Sequence, residues 1–245
     1  MFRKLDQNLW VAEQPLRYFG LSIGTRMTVI RLSTRELVVI SPIQLNQTIS
    51  HQLSEIGTVQ HIIAPNLYHH FFAADYKTYY PEACFWAVPG LKEKKPTLAI
   101  DKTIEHSRSG SGQGPLRSGS GQGPLWEGIE HIFLDGFRTL GPSGFDSLNE
   151  CVFFHTASRT LILTDTALHF DESFPLLTQF ATRVIGGYKQ LSPSLLEKIA
   201  TTEKAKVRKA VEKVLLWDFE RVVMAHGSVI EKHGKQQFSQ GYEAF

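Results

Sequence analysis

Val59-Gln60-His61-Ile62-Ile63-Ala64-Pro65-Asn66-Leu67-Tyr68-His69-His70 opens as an apolar, β-branched run, breaks at Pro65-Asn66 and leads at once into two histidines. Such a run reads as a buried strand that stops at the Pro-Asn pair. It delivers metal-capable side chains to its carboxyl end, where open α/β folds keep their chemistry. A histidine pair also suits the polar start of a helix, and with ten histidines in 245 residues some adjacency arises by chance. A metal needs ligands converging from several segments, so the rest of the chain has to supply them.

Upstream, residues 27–32 and 37–42 are β-rich runs joined by the short polar stretch Ser33-Thr34-Arg35-Glu36, the pattern of a hairpin. Leu45, Ile49, Leu53 and Ile56 then recur at helical spacing, with Asn46 as cap and Gly57 as stop. Downstream of the histidines, residues 68–80 are predicted helical up to Pro81, and residues 84–88 form another strand closed by Pro89-Gly90. Hairpin, helix, strand, helix and strand in succession predict an α/β layered domain. Residues 129–134, 149–154 and 160–165 read as further strands, the last two a second hairpin turning through Thr156-Ala157-Ser158-Arg159. Helices are expected over 174–188 and 193–216, the second broken near Thr201-Thr202, followed by a buried strand over 221–225 that ends in His226-Gly227 and by a polar tail.

The length suits one compact domain over residues 1–245 with a substantial core. No apolar run approaches the roughly 20 residues needed to span a bilayer. The first ten residues carry Arg3, Lys4 and Asp6 without an apolar stretch, which does not suit a secretory signal. A net charge of +2 lacks the concentrated basic face of a nucleic-acid binder. Cys84 and Cys151 each sit in an apolar strand-like run, which favours buried free thiols over a disulfide and a cytoplasmic location. Residues 108–116 (RSGSGQGPL) are repeated residue for residue over 117–125; so much Gly, Ser and Pro offers little apolar surface to offset ordering, and a mobile loop is expected.

Three strand-like runs end in metal-capable groups: His69 and His70 after Ile63, Asp165 after Leu163, and His226 after Met224. Histidines with one carboxylate, drawn from separate strands, match the nitrogen and oxygen donors of sites that activate water. Bland roles stay open for each. His226 can cap a turn, Asp165 can pair with Arg159, and His155 and Arg159 suit structural roles in their hairpin. The lysines and arginines of residues 204–213 alternate with Glu203 and Glu212, as on a solvated helix face.

In element order along nearly the whole chain, this sequence resembles the metallo-β-lactamase-like superfamily. More narrowly, Ile62-Ile63-Ala64-Pro65-Asn66-Leu67-Tyr68-His69-His70-Phe71, Tyr80-Pro81-Glu82-Ala83, Pro89-Gly90-Leu91-Lys92 and the second hairpin from Phe153 to Asp165 look like an uncharacterised branch of it. The resemblance implies a four-layer αββα sandwich with a one- or two-metal site on one edge. Against the superfamily motif H-x-H-x-D-H, Pro65 and Leu67 stand in the places of the first two histidines, His69 in that of the aspartate and His70 in that of the last histidine. Where a further histidine is expected, only Asp146, Asn149 and Glu150 are available; Asp165 matches the bridging carboxylate and His226 the final histidine.

The implied function is a metal-dependent hydrolase with a degenerate, mononuclear site. Its ligands would be His70, Asp165 and His226, with His69 or Glu150 assisting, and Asp165 would position metal and water. Adjacent helical residues point about 100° apart, so one histidine of the pair is expected to serve, with His70 preferred. The expected ion is zinc, with iron or manganese as alternatives, and the substrate a small ester, thioester, lactone or phosphodiester. The sequence points to neither membrane nor nucleic-acid partners and leaves homo-oligomerisation open. The alternative is a non-catalytic binding or scaffold protein that keeps the fold without a metal.

Overall fold

A computed structural model describes residues 1–105, 125–141 and 144–245. Apart from Leu125, the duplicated segment lies outside the described residues.

The first sheet is built from β1 (Phe2–Asp6), β2 (Leu9–Gln14), β5 (Thr25–Arg31), β6 (Glu36–Ile40), β7 (Thr58–Ala64), β8 (Cys84–Ala87) and β9 (Lys102–Thr103), side by side in that order. Between β2 and β5 the chain makes a small hairpin, β3 (Arg17–Tyr18) and β4 (Leu21–Ser22). The expected hairpin is β5–β6, paired antiparallel from Thr28↔Ile40 to Arg31↔Leu37. From β6 onward the strands run parallel, because α1 (Gln47–Ile56) and α2 (Ala73–Tyr79) carry the chain back between them. Helix α1 has the expected caps: the Asn46 side chain accepts from the Ile49 N–H, and the Gly57 N–H donates to the Leu53 carbonyl. The short α3 (Leu91–Lys94) follows β8.

The second sheet has the order β10 (Ile129–Leu134), β13 (Glu150–His155), β14 (Thr160–Ile162) and β15 (Arg221–Val223). β10, β13 and β14 are antiparallel, whereas β15 joins β14 in parallel. The ribbon β11 (Arg138–Gly141) and β12 (Gly144–Ser147) lies between β10 and β13 in sequence. The remaining helices are α4 (Leu176–Ile185), α5 (Leu195–Ala200), α6 (Lys204–Val214) and α7 (Gly234–Gly241).

Strand β13 shows why the layers stack as they do. All six of its residues are buried, and their alternation sends Cys151 and Phe153 into the core shared with the first sheet. Val152 and Phe154 point the other way, into a second core with Val207, Val211 and Val214 of α6, where Phe154 stacks on Trp217 at 5.4 Å. Ile49 and Leu53 of α1 and Tyr76 of α2 join the first core. Two sheets face to face with helices on their outer sides give the αββα sandwich, and each large side chain so buried contributes about 1.5–3 kcal/mol of transfer free energy.

Two expectations are corrected, and one part of the fold was not foreseen. The helix after β7 begins at Ala73, not Tyr68. The polar tail folds as α7, anchored by buried Phe238 and followed by buried Tyr242. Strands β1 and β2 had no place in the sequence reading. The two cysteines are free thiols, Cys151 buried and Cys84 partly so. Among the described residues no helix is long and apolar enough to cross a membrane.

Candidate metal centre

The parallel pairs β6–β7 and β14–β15 end at the same edge of the sandwich, so the residues just after these strands meet there. Ser41 follows β6, Asn66 and His69 follow β7, Thr164 and Asp165 follow β14, and His226 follows β15. Antiparallel neighbours start at that edge: Gly24 precedes β5, and Glu150 opens β13.

His69, Asp165 and His226 each bring one donor atom to within 4.8 Å of the others. Asp165 Oδ1 lies 3.0 Å from His69 Nε2 and 3.2 Å from His226 Nε2, and the two rings are 5.1 Å apart. The far side of each ring is engaged too, His69 Nδ1 with Ser41 Oγ at 2.7 Å and His226 Nδ1 with the Gly24 carbonyl at 2.6 Å. A carbonyl only accepts, so His226 Nδ1 carries a proton, and Nε2 is the ring nitrogen turned to Asp165. Each Nε2 lies about 3 Å from the same carboxylate oxygen, a spacing that a shared proton or a cation between them would satisfy. Two imidazoles and a carboxylate, with the rings oriented from behind, therefore fit a divalent ion of the zinc class.

Asn66 ties the cluster together. Its Oδ1 accepts from the N–H groups of Tyr68 and His69, both at 2.8 Å, and so replaces the first helical turn with an Asx-type turn. That is why α2 starts late. Its Nδ2 donates to Asp165 Oδ2 (2.8 Å), Glu150 Oε2 (3.1 Å) and Thr164 Oγ1 (3.1 Å). Glu150, fully buried, also accepts from the N–H groups of Thr164 (2.8 Å) and Asp165 (2.7 Å) and from Thr166 Oγ1 (2.7 Å).

The electrostatics reflect this packing. Burial acts to raise the Asp165 carboxyl, but the His69 charge and hydrogen bonds from both histidines prevail and hold it well below the usual carboxylate range. Burial works against a charged His69 ring, yet Asp165 outweighs it and the ring is raised. Glu150 is pushed up by burial and then by the neighbouring Asp165 charge, against the hydrogen bonds it receives.

The structure brings together three of the five residues singled out from sequence. The preference for His70 is corrected: His69 turns to the carboxylate, while the His70 ring stacks on Phe71 at 5.0 Å. Burial, then Lys95 and Lys94, push His70 down to about 4. Glu150 sits behind Asp165 with both oxygens already engaged, outside the three-residue cluster. Arg159 pairs neither with Asp165 nor within its hairpin: its partner is Asp218, just before β15, at 2.8 Å, while His155 Nδ1 meets Ser158 Oγ at 2.7 Å.

Asn66, Ser41, Gly24 and Arg26 were missed as functional positions. Arg26 is buried and pairs with Glu13 at 2.9 Å; it donates to the carbonyls of Met224 and, at 2.6 Å, Gly227, clamping the backbone on both sides of His226. Gly227 has φ 87°, and a Cβ there would run into the His169 carbonyl, so only glycine closes that turn. Of the missed positions, only Asn66, an Asn after a Pro at a strand end, leaves a trace in the sequence.

Solved structures of similar shape are metallo-β-lactamases. One from Pontibacter korlensis is 10% identical with a TM-score of 0.62, covering 100% of this chain and 97% of that chain. FIM-1 from Pseudomonas aeruginosa, in its mono-zinc form, is 8% identical with a TM-score of 0.63, covering 99% of this chain and 94% of that one. The enzyme from Hirschia baltica is 12% identical with a TM-score of 0.60, covering 99% and 97%. At such identities the likeness shows the fold, which is that of the metallo-β-lactamases. No curated protein matches the sequence. The profile of one family matches residues 6–186, a span that takes in His69 and Asp165 and stops short of His226. The chain belongs to the family described as Domain of unknown function (DUF4336), in the metallo-β-lactamase fold.

Proposed function

We propose that the protein is a metal-dependent hydrolase with a single-metal centre held by His69, Asp165 and His226, acting on a small ester, thioester, lactone or phosphodiester. The convergence of two Nε2 atoms and one carboxylate oxygen from three separate strand ends carries this reading. When bound, a zinc-class ion lowers the pKa of water and polarises a carbonyl or phosphoryl oxygen. Two nitrogens and one oxygen suit zinc first, and iron or manganese next. The chain's own part is orientation. The Asn66 amide holds Asp165 Oδ2 and so keeps Oδ1 toward both rings, while Gly24 and Ser41 fix the rings from behind. Pro65 and Leu67, in the places of two histidines of the superfamily motif, support one ion rather than two. Elemental analysis after purification from metal-supplemented medium tests this. About one equivalent is expected, and less than about a tenth of an equivalent rejects the reading, because a working site stays occupied.

A specific observation supports a second reading, a non-catalytic binding or scaffold protein. Asp165 already has a protein partner on each oxygen, so the cluster closes through hydrogen bonds by itself. The triple variant His69→Ala, Asp165→Ala, His226→Ala separates the two: loss of a metal-dependent turnover supports the hydrolase, and an unchanged cellular phenotype supports the scaffold.

A further inference from the structure

Helix α4 is built inside out. Its buried residues are Thr178, Gln179 and Thr182, whereas Leu176, Leu177, Phe180 and Val184 lie within one stripe and are between 63% and 80% exposed. The inward polar groups are satisfied locally: Thr178 Oγ1 donates to the Ser22 carbonyl, Thr182 Oγ1 to the Thr178 carbonyl, and Gln179 Nε2 to the carbonyls of Glu172 and Phe174. Helix α5 repeats the inversion. It buries Glu197 in a capping box with Ser194 while Leu195, Leu196 and Ile199 stay 47–66% exposed. The two helices are neighbours, since Gly186 at the end of α4 lies against residues 192–194 leading into α5. The β3–β4 hairpin flanks α4 through Ser22, and Phe19 at its tip is 84% exposed.

A helix that hides its hydroxyls and shows its leucines has its fold reversed relative to water, which is the pattern of a face that is covered. Taking roughly 150 Å² for a fully exposed large side chain, the four α4 residues present on the order of 400 Å² of apolar surface, and the α5 residues and Phe19 about as much again. The α4 stripe alone matches the roughly 300–600 Å² of a typical monomer's largest, often functional, patch, and the three neighbouring elements together offer the roughly 800 Å² per partner that a standard interface buries. A lipid surface fits poorly, because membrane-lying helices carry Lys and Arg on an outward polar face. The only charged residue of α4 is Arg183, and its guanidinium covers the Tyr188 ring at 3.7 Å. An uncharged apolar stripe has no charge pattern to select a foreign partner, but it packs against its own copy in a two-fold arrangement.

We propose that two copies of this chain associate through a two-fold interface centred on α4, with α5 and the β3–β4 tip at its margin. The interface is independent of the metal reading. Sedimentation velocity on the full chain at high micromolar concentration tests it. The expected mass is twice the 27.7 kDa of the chain. The double variant Leu177→Glu, Phe180→Glu is expected to be monomeric with an unchanged circular-dichroism melt, and Leu216→Glu, at an equally exposed position outside the patch, to remain dimeric. Should the double variant fail to fold, Phe180→Ser is expected to weaken the dimer at least about tenfold, or about 1.4 kcal/mol. A monomeric wild type overturns the proposal, and so does a variant that stays dimeric. A wild-type monomer that pellets with phosphatidylglycerol vesicles overturns it in favour of a membrane.

Discussion

Asn66 satisfies the buried Glu150 carboxylate, the partly buried Asp165 carboxylate and two backbone N–H groups with one amide. Replacing it by alanine leaves Asp165 and Glu150 facing each other without the shared donor. Asn66→Ala is therefore expected to cost about 2–4 kcal/mol, read from the urea midpoint at constant m-value. Glu197 makes a prediction that depends on pH. Burial, with Asp165 and Glu150 adding to it, pushes its carboxyl up to about 7 despite the hydrogen bonds from Ser194. A carboxyl that holds its proton more tightly in the folded state contributes its full stability below the unfolded value near 4.5, and loses it as pH rises through about 7. The wild type should thus lose up to about 3 kcal/mol between these limits. Glu197→Gln should flatten that slope, and equal slopes in melts from pH 4.5 to 8 would dismiss the account.

At the scale of elements, Arg26 reaches from β5 to the segment after β15 and fixes the backbone that presents His226. Arg26→Met keeps much of the apolar stem but leaves the Met224 and Gly227 carbonyls without their donor. Zinc affinity, measured by competition with a chromogenic chelator, is expected to fall roughly 10–100-fold, as when an outer partner of a metal ligand is removed. An unchanged affinity would mean that the loop holds His226 unaided. The turn between β7 and α2 teaches a related lesson. A helix was expected over 68–80, but a side-chain acceptor at Asn66 competes for the N–H groups of Tyr68 and His69, and the turn wins. The same competition decides which histidine enters the site.

For the molecule as a whole, binding to the folded state alone raises stability by mass action. Zinc at about 100 times its dissociation constant should add about 2.7 kcal/mol, and a chelator should remove it. His69→Ala should abolish the response while His70→Ala, outside the cluster, should keep it. A thermal melt of the three proteins with and without zinc reads this directly; an equal response in all three places the ion elsewhere.

Strand runs, the caps of α1, the second hairpin and the break between α5 and α6 were legible in the residues, because periodicity and capping are local and each is decided within a few positions. The strand-end positions of His69, Asp165 and His226 were legible for the same reason. The tertiary structure decided what depends on chain segments distant in sequence. Parallel pairing of β6 with β7 and of β14 with β15 put four strand ends at one edge. Asn66 chose His69 over His70, and Arg26 and Gly24 set His226 from some two hundred residues away. The outward leucines of α4 were read only as a helix, since a hydrophobic period fixes which residues share a face and leaves open whether that face meets the core or a second molecule.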